Sequence, residues 1–259
     1  MIWGKDIEGK RVIAEPNNKA TCPICDSTLI SKCGEVKMWH WAHKNSEDCD
    51  TWGEGETAWH LKWKNEFPAV WQEVTMKNHR ADIYNPHKMV VIELQNSPIS
   101  PEGINEREGF YKNMVWILNG ETLAKNLNLF KKDGYYSFKW KWFPKSWSFC
   151  QKPLYIDLAY LKSKIVKDIE KYEGGEKHYS EYTECTYEWE DDYGNIREGE
   201  YPHYYKTAEE DTEKHLRRLK GQLEKLNFKD IFLIRKISEK GTGWGNMISK
   251  EEFLKQYGD

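Results

Sequence analysis

Between residues 52 and 119 the spacing of apolar positions changes several times, and each change marks an element. In residues 52 to 67, Trp59, Trp63 and Phe67 recur every fourth position, which predicts a helix with one apolar stripe. Glu56, His60 and Lys64 form a second stripe at the same spacing, so the two faces of this helix have different jobs. After Pro68 the pattern becomes strand-like. Val70 to Met76, Arg80 to Tyr84 and Met89 to Gln95 read as strands, with Asn85-Pro86-His87 as a turn between the last two. Ser100-Pro101-Glu102 supplies an N-cap, a proline for the first helical position and an acid suited to the helix dipole, predicting a helix over about 101 to 113. Val115 to Leu118 is an apolar run fit for a buried strand, closed by Asn119-Gly120. The predicted order is αβββαβ.

Beyond residue 120 the pattern is less regular. Strand-like aromatic pieces fall at 135 to 143 and 154 to 158, a charged helix at about 207 to 226, and a strand at 230 to 237. A Gly-Thr-Gly-Trp-Gly segment reads as a loop, and the last ten residues as a short helix. Residues 181 to 213, rich in Glu, Asp and Tyr, read as a mobile acidic insertion or an irregular hairpin.

Composition narrows the class of protein. With 259 residues, 39% hydrophobic and 14% aromatic, the chain can bury a sizeable core and is not disordered by composition. Its N-terminus lacks a cationic segment followed by an apolar run, and no stretch approaches the roughly 18 apolar residues of a membrane span. The expectation is a cytoplasmic protein without a membrane partner. A formal net charge of −3 argues against attraction of nucleic acid by the whole surface, so any DNA contact has to be local. Lys131, Lys132, Lys139, Lys141 and Lys145 lie among Tyr135, Tyr136, Phe138, Trp140, Trp142 and Phe143. This mixture suits phosphates and bases, and it equally suits lysine stems lying over an aromatic hairpin.

Two sets of residues carry candidate chemistry. Four of the six cysteines lie in the first fifty residues, which favours metal binding over disulfides. Cys22 and Cys25, then His40 and His43, form two close pairs able to reach one Zn²⁺, with the histidines at i and i+3 on a helical face or around a turn. Cys49 is the main competitor for a ligand position, and Cys33 a weaker one. Four protein ligands leave no open position, so this site is expected to be structural. In the predicted hairpin, strand alternation puts Asp82 opposite in direction to Ala81 and Ile83, and puts Glu93 and Gln95 on one face. A hairpin can therefore bring Asp82 beside Glu93. Two such carboxylates suit a hard cation, Mg²⁺ or Mn²⁺, which activates water and neutralises phosphate charge. The alternative is two separate acids on a solvated strand face.

The run Cys22-Pro23-x-Cys25, His40-Trp41-Ala42-His43, Glu56-x-x-Trp59-His60-x-x-Trp63-Lys64-x-x-Phe67-Pro68, His79-Arg80-Ala81-Asp82-Ile83 and Ile92-Glu93-Leu94-Gln95-x-Ser97 resembles the competence protein CoiA-like family. Arg107-x-x-x-Tyr111 and Val115 to Leu118 extend the resemblance, which covers about residues 20 to 119 well and the C-terminal part loosely. It implies a restriction-endonuclease-like fold of the PD-(D/E)XK kind after a zinc-binding segment, and a role in processing incoming DNA. By motif, Glu56 matches the acid of the first helix, Asp82 the aspartate and Glu93 the second acid. Gln95 stands where most such nucleases carry lysine. Either Gln95 holds the attacking water by hydrogen bonds, or a displaced cation serves, with Lys64 and His60 as the candidates on the stripe of Glu56. Arg107 and Tyr111, with Lys64, are candidate DNA contacts.

The expectation is an α/β protein: a zinc-binding segment over 1–50, a nuclease-like αβββαβ core over 51–120 and a C-terminal α+β extension over 121–259. Its expected activity is metal-dependent hydrolysis of single- or double-stranded DNA, as endonuclease or exonuclease, with recombination proteins as further partners. The alternative is an inactive nuclease fold that binds DNA or a partner; a third reading is an adaptor acting through residues 181 to 213.

Overall fold

A computed structural model describes residues 1–35, 38–45, 49–50, 52–53, 55–179, 187–190, 195–199, 207–226 and 229–258. The described elements belong to two compact units, residues 1–158 with 231–259, and residues 159–230.

In the first unit, five short strands come first: β1 (Trp3–Lys5), β2 (Arg11–Ile13), β3 (Lys19–Thr21), β4 (Thr28–Lys32) and β5 (His40–His43). They form one antiparallel sheet in the order β2-β1-β3-β4-β5, with Ala20, Cys22, Leu29 and Trp41 buried together. Next come α1 (Ala58–Lys64), β6 (Gln72–Met76), β7 (His79–Asn85), β8 (Val90–Gln95), α2 (Pro101–Tyr111) and β9 (Met114–Asn119). The expected element order is thus observed. Helix α1 is shorter than the 52–67 span its apolar stripe suggested, because Thr57 caps it: its hydroxyl accepts from the His60 N–H, and His60 Nδ1 accepts from the Thr57 N–H. Residues 69–71 are a 3₁₀ turn where a strand start was expected.

Short helix α3 (Gly120–Leu123), β10 (Leu127–Lys131), β11 (Tyr136–Trp140) and β12 (Leu154–Asp157) follow. In the second unit, α4 (Ala159–Glu173) and α5 (Ala208–Leu226) pack through Ile165, Ile169 and Leu219, and β13 (Tyr187–Glu190) pairs with β14 (Ile196–Gly199). The expected acidic insertion over 181 to 213 falls largely outside the described residues; its described pieces are this hairpin and the start of α5. The chain then returns to the first unit with β15 (Ile231–Ile237), β16 (Thr242–Ile248) and α6 (Lys250–Tyr257). Of the Gly-Thr-Gly-Trp-Gly segment, Gly241 closes the turn and Thr242 to Gly245 begin strand β16 rather than a loop; Cβ atoms at Gly243 and Gly245 would meet neighbouring strands.

A nine-stranded sheet in the order β10-β11-β16-β15-β12-β9-β8-β7-β6 organises this unit. Strands β8, β9 and β12 run parallel at its centre and are buried nearly throughout, so β9 is an apolar run, while β8 buries Glu93 and Gln95 among its apolar residues. Trp63, Phe67, Ile83, Ile92, Leu94, Val115, Ile117, Tyr155, Phe253 and Tyr257 share one core. The indole N–H groups of Trp59 and Trp63 both donate to Asp157 Oδ2 at 2.8 Å, so the apolar stripe of α1 also anchors to the end of β12.

Candidate functional site

Asp82 and Glu93 lie on neighbouring strands in register, one step beyond the Ile83–Ile92 pair. Each carboxylate accepts from the other strand: the Asp82 N–H donates to Glu93 Oε1 at 3.2 Å, and the Leu94 N–H to Asp82 Oδ2 at 3.0 Å. Lys64, from the last turn of α1, reaches this pair. Its ammonium lies 3.2 Å from Asp82 Oδ1, 2.9 Å from Glu56 Oε2 and 3.1 Å from Glu73 Oε1. The lysine side chain is 2% exposed, whereas Asp82 is 24% exposed, so Asp82 is the member of the cluster open to solvent.

Glu73 completes the cluster without having been singled out in the sequence. Its backbone is in the left-handed region (φ 47°), a cost of about 1–3 kcal/mol for a residue with a side chain. The turned carboxylate accepts from Lys64 and from the Ile2 and Trp3 amides at 2.9 to 3.2 Å, linking the N-terminal sheet to β6. Although burial pushes its pKa up, Lys64 and Arg80 outweigh it, and Glu73 is held well below the usual carboxylate range. The other acids behave differently. Burial, with the negative charges of Glu73 and Asp82, pushes Glu56 up to about 7 against the pull of Lys64. Burial, with Asp82 beside it, pushes Glu93 up to about 8 despite Arg107. Glu56 Oε1 is buried with no hydrogen-bond partner among the described residues.

The other residues singled out in the sequence surround this cluster. Gln95 is buried, its Oε1 accepting from Arg107 Nη1 at 3.2 Å and its Nε2 donating to Ser97 O at 2.9 Å. Arg107 also lies 3.6 Å from Glu93 Oε2 and donates to Trp52 O at 2.7 Å. Neither Arg107 nor Lys64 turns its charge to open solvent; both serve buried acids. Tyr111 is buried with its hydroxyl unpartnered among the described residues. His60 accepts from Thr57 N–H at Nδ1, so its Nε2–H is the group that donates to Leu94 O at 3.3 Å. Asp50 and Trp52 were missed. Asp50 accepts from Arg80 N at 2.9 Å and pairs with His79 Nδ1 at 3.0 Å, while Trp52 stacks flat on His79 at 3.3 Å. A lone acid outside any periodic element carries no pattern that could have found it.

The second cluster is in the N-terminal sheet. Cys22, Cys25, His43 and Cys49 bring their ligand atoms within 4.8 Å of one another. Cys22 Sγ to Cys49 Sγ is 3.6 Å, Cys25 Sγ to His43 Nε2 3.4 Å and Cys49 Sγ to His43 Nε2 3.6 Å. A tetrahedron with Zn–S bonds of about 2.3 Å has sulfur–sulfur edges of about 3.8 Å, so the set can hold a metal such as zinc. Cys49, not His40, completes it. The histidine pair sits in strand β5 rather than on a helical turn, and residues three apart in a strand face opposite ways. His40 instead donates from Nδ1 to Met38 O at 2.8 Å. Cys25 is held down to about 6: burial opposes this, but hydrogen bonds from Ser27, Cys49 and His43 outweigh it. Burial and the neighbouring Cys22 and Cys25 push Cys49 up to about 12. A cavity of about 660 Å³ lies between the two clusters, lined by His40, His43, Cys49, Asp50, Glu56 and Arg80 among others. No helix among the described residues is long and apolar enough to cross a membrane.

Comparison with known proteins bears on both clusters. Residues 9–51 match the family model described as "Competence protein CoiA, N-terminal domain", and residues 62–161 match "Competence protein CoiA, nuclease-like domain". A protein named Competence protein CoiA from Bacillus subtilis (strain 168) is 29% identical over 125 residues. That alignment covers 42% of this chain and 34% of the relative, so the chain spans about a third of the relative it matches. No solved structure matches the chain significantly.

Proposed function

Because this chain belongs to the competence protein CoiA-like family, we propose that its nuclease-like region hydrolyses DNA phosphodiester bonds with a divalent cation held by Asp82 and Glu93. The observation that carries this reading is the pairing of those two carboxylates across β7 and β8. The succession α1, β6, β7, β8, α2, β9, with β9 parallel to β8, supports a restriction-endonuclease-like core. The donor set also fits a hard cation. Glu93 is a buried acid crowded by a second carboxylate, and Glu56 carries a buried oxygen without a partner, so both are under-compensated as they stand.

When bound, Mg²⁺ or Mn²⁺ would polarise the scissile phosphate and lower the pKa of the attacking water. The chain's own residues prepare that chemistry. Lys64 lies 3.2 Å from Asp82 Oδ1, which makes it the better candidate for the displaced cation. Gln95 is committed to Arg107 and Ser97. Arg107, on α2, reaches Glu93 on β8 and so positions it rather than touching substrate. With a divalent cation bound, Glu93 would hold it as the carboxylate. The cluster of three cysteines and one histidine is read as a closed structural zinc site, since four protein ligands fill a tetrahedron.

The test uses single-stranded, linear and supercoiled DNA with Mg²⁺, Mn²⁺ or EDTA. Cleavage is expected with either metal, is abolished by EDTA, and falls at least a hundredfold in Asp82→Ala and in Glu93→Ala, with circular dichroism unchanged. Undiminished cutting by both variants would refute the assignment. DNA binding without any cleavage under all three conditions favours the binding-module reading instead.

A further inference from the structure

The edge of the nine-stranded sheet opposite the carboxylates is built from β10, β11 and β16, with β15 next. Alternation gives these strands two unlike faces. Phe138 and Trp140 are buried on one. On the other, register puts Phe130, Ser137, Trp244 and Lys236 in one cross-strand row, and Asn128, Lys139 and Thr242 in the next. Directly paired residues share a face, and this one is open: Phe130 is 51% exposed and Trp244 41%. Phe130 and Trp244 stand two strand spacings apart, about 10 Å.

Trp244 is presented deliberately by its neighbours. A Cβ at Gly243 would overlap the Lys236 carbonyl oxygen, and one at Gly245 the Leu233 carbonyl oxygen. The glycines therefore let β16 press against β15 while the tryptophan between them turns outward. Tyr135 meets Trp244 nearly at right angles, with ring centroids 5.9 Å apart at 77°, and Trp244 stays 41% exposed beside it. Charge on this edge has one dominant sign: residues 127 to 142 contain Lys131, Lys132, Lys139 and Lys141 against a single acid, Asp133. Lys141 lies over the 78% exposed Trp142 at 4.4 Å, a cation held beside another open ring.

We propose that this sheet face binds single-stranded nucleic acid, stacking bases on Phe130 and Trp244 and neutralising phosphates with Lys139 and Lys236. Flat aromatic faces on an open sheet reach bases only when those bases are unpaired, which selects a single strand over a duplex. The surface carries this proposal by itself and does not require the carboxylates to cleave.

Fluorescence anisotropy of the whole chain with labelled oligothymidylate, and with a duplex of equal length, tests it in EDTA. The single strand is expected to bind more tightly, and more weakly as salt rises. Trp244→Ala and Phe130→Ala should each weaken binding roughly 5- to 150-fold. Lys139→Gln with Lys236→Gln should flatten the salt dependence by about 1.4 log units per log unit. Both rings are exposed, so the variants should melt with wild-type Tm. Wild-type affinity in both ring variants, equal preference for duplex, or no oligonucleotide binding overturns the proposal, the last pointing to a protein partner on this face. These results are separable from the nuclease reading: persistent cutting by Asp82→Ala and Glu93→Ala defeats that reading while leaving the anisotropy results standing.

Discussion

The two clusters of ligating side chains in this chain differ in what holds them together. In the N-terminal sheet, three thiols and an imidazole converge with ligand–ligand distances close to those of a zinc tetrahedron. In the nuclease-like region, Lys64 already sits among Glu56, Glu73 and Asp82, and part of the remaining negative charge is removed by protons rather than by partners. The first arrangement is a set of four donors that could hold a metal such as zinc. The second is folded around an internal cation and keeps one acid, Asp82, open to solvent. The two clusters thus differ in how their charge is balanced by the chain's own residues.

Removing a ligand breaks the comparison most strongly. Cys49→Ser is expected to reduce bound zinc from about one equivalent to well below half, whereas His40→Ala leaves it unchanged, as read by metal analysis after gel filtration. The scale is large because structural zinc contributes on the order of 10 kcal/mol of binding to a folded site. Equal losses in the two variants would restore His40 to the ligand set.

Next in size is the loss of the internal cation. Lys64→Met leaves Glu73, 1% exposed, without its main partner, and should cost about 3–5 kcal/mol in urea unfolding. Adding Glu73→Gln should recover part of this. An additive double variant would show that the two charges are not coupled.

The smallest effect is in pH. Glu56 and Glu93 have folded pKa values raised above the usual 4.5, to about 7 and about 8. Their stabilising contribution is thus fully present below the unfolded pKa and is lost as pH rises through these values. Glu73 has the opposite sign: its contribution is present above the usual carboxylate pKa and is lost as pH falls through its depressed folded value. Without divalent metal, Tm should decline by a few degrees between about pH 5 and 8. Mg²⁺ should reduce that decline and bind more tightly across the same range. A Tm that is flat or rising without metal contradicts the assigned balance.

Much of the nuclease-like region was legible because its signals are local. The four-residue spacing of Trp59, Trp63 and Lys64's stripe, the Ser100-Pro101 start of α2 and the apolar runs of β8 and β9 each reflect one element's own geometry. Strand alternation likewise determined that Asp82 and Glu93 could share a site, and the Cys22–Cys25 spacing that a metal was in question. Only the tertiary structure decided the rest. Whether the histidines at 40 and 43 share a face depends on strand or helix, and Cys49 joins the set from a position that no spacing specifies. Glu73 and Asp50 matter because distant segments, the Ile2–Trp3 amides and the His79–Arg80 start of β7, fold onto them. Burial sets which acids keep their protons, and burial is a property of everything packed around a residue, not of its neighbours in sequence.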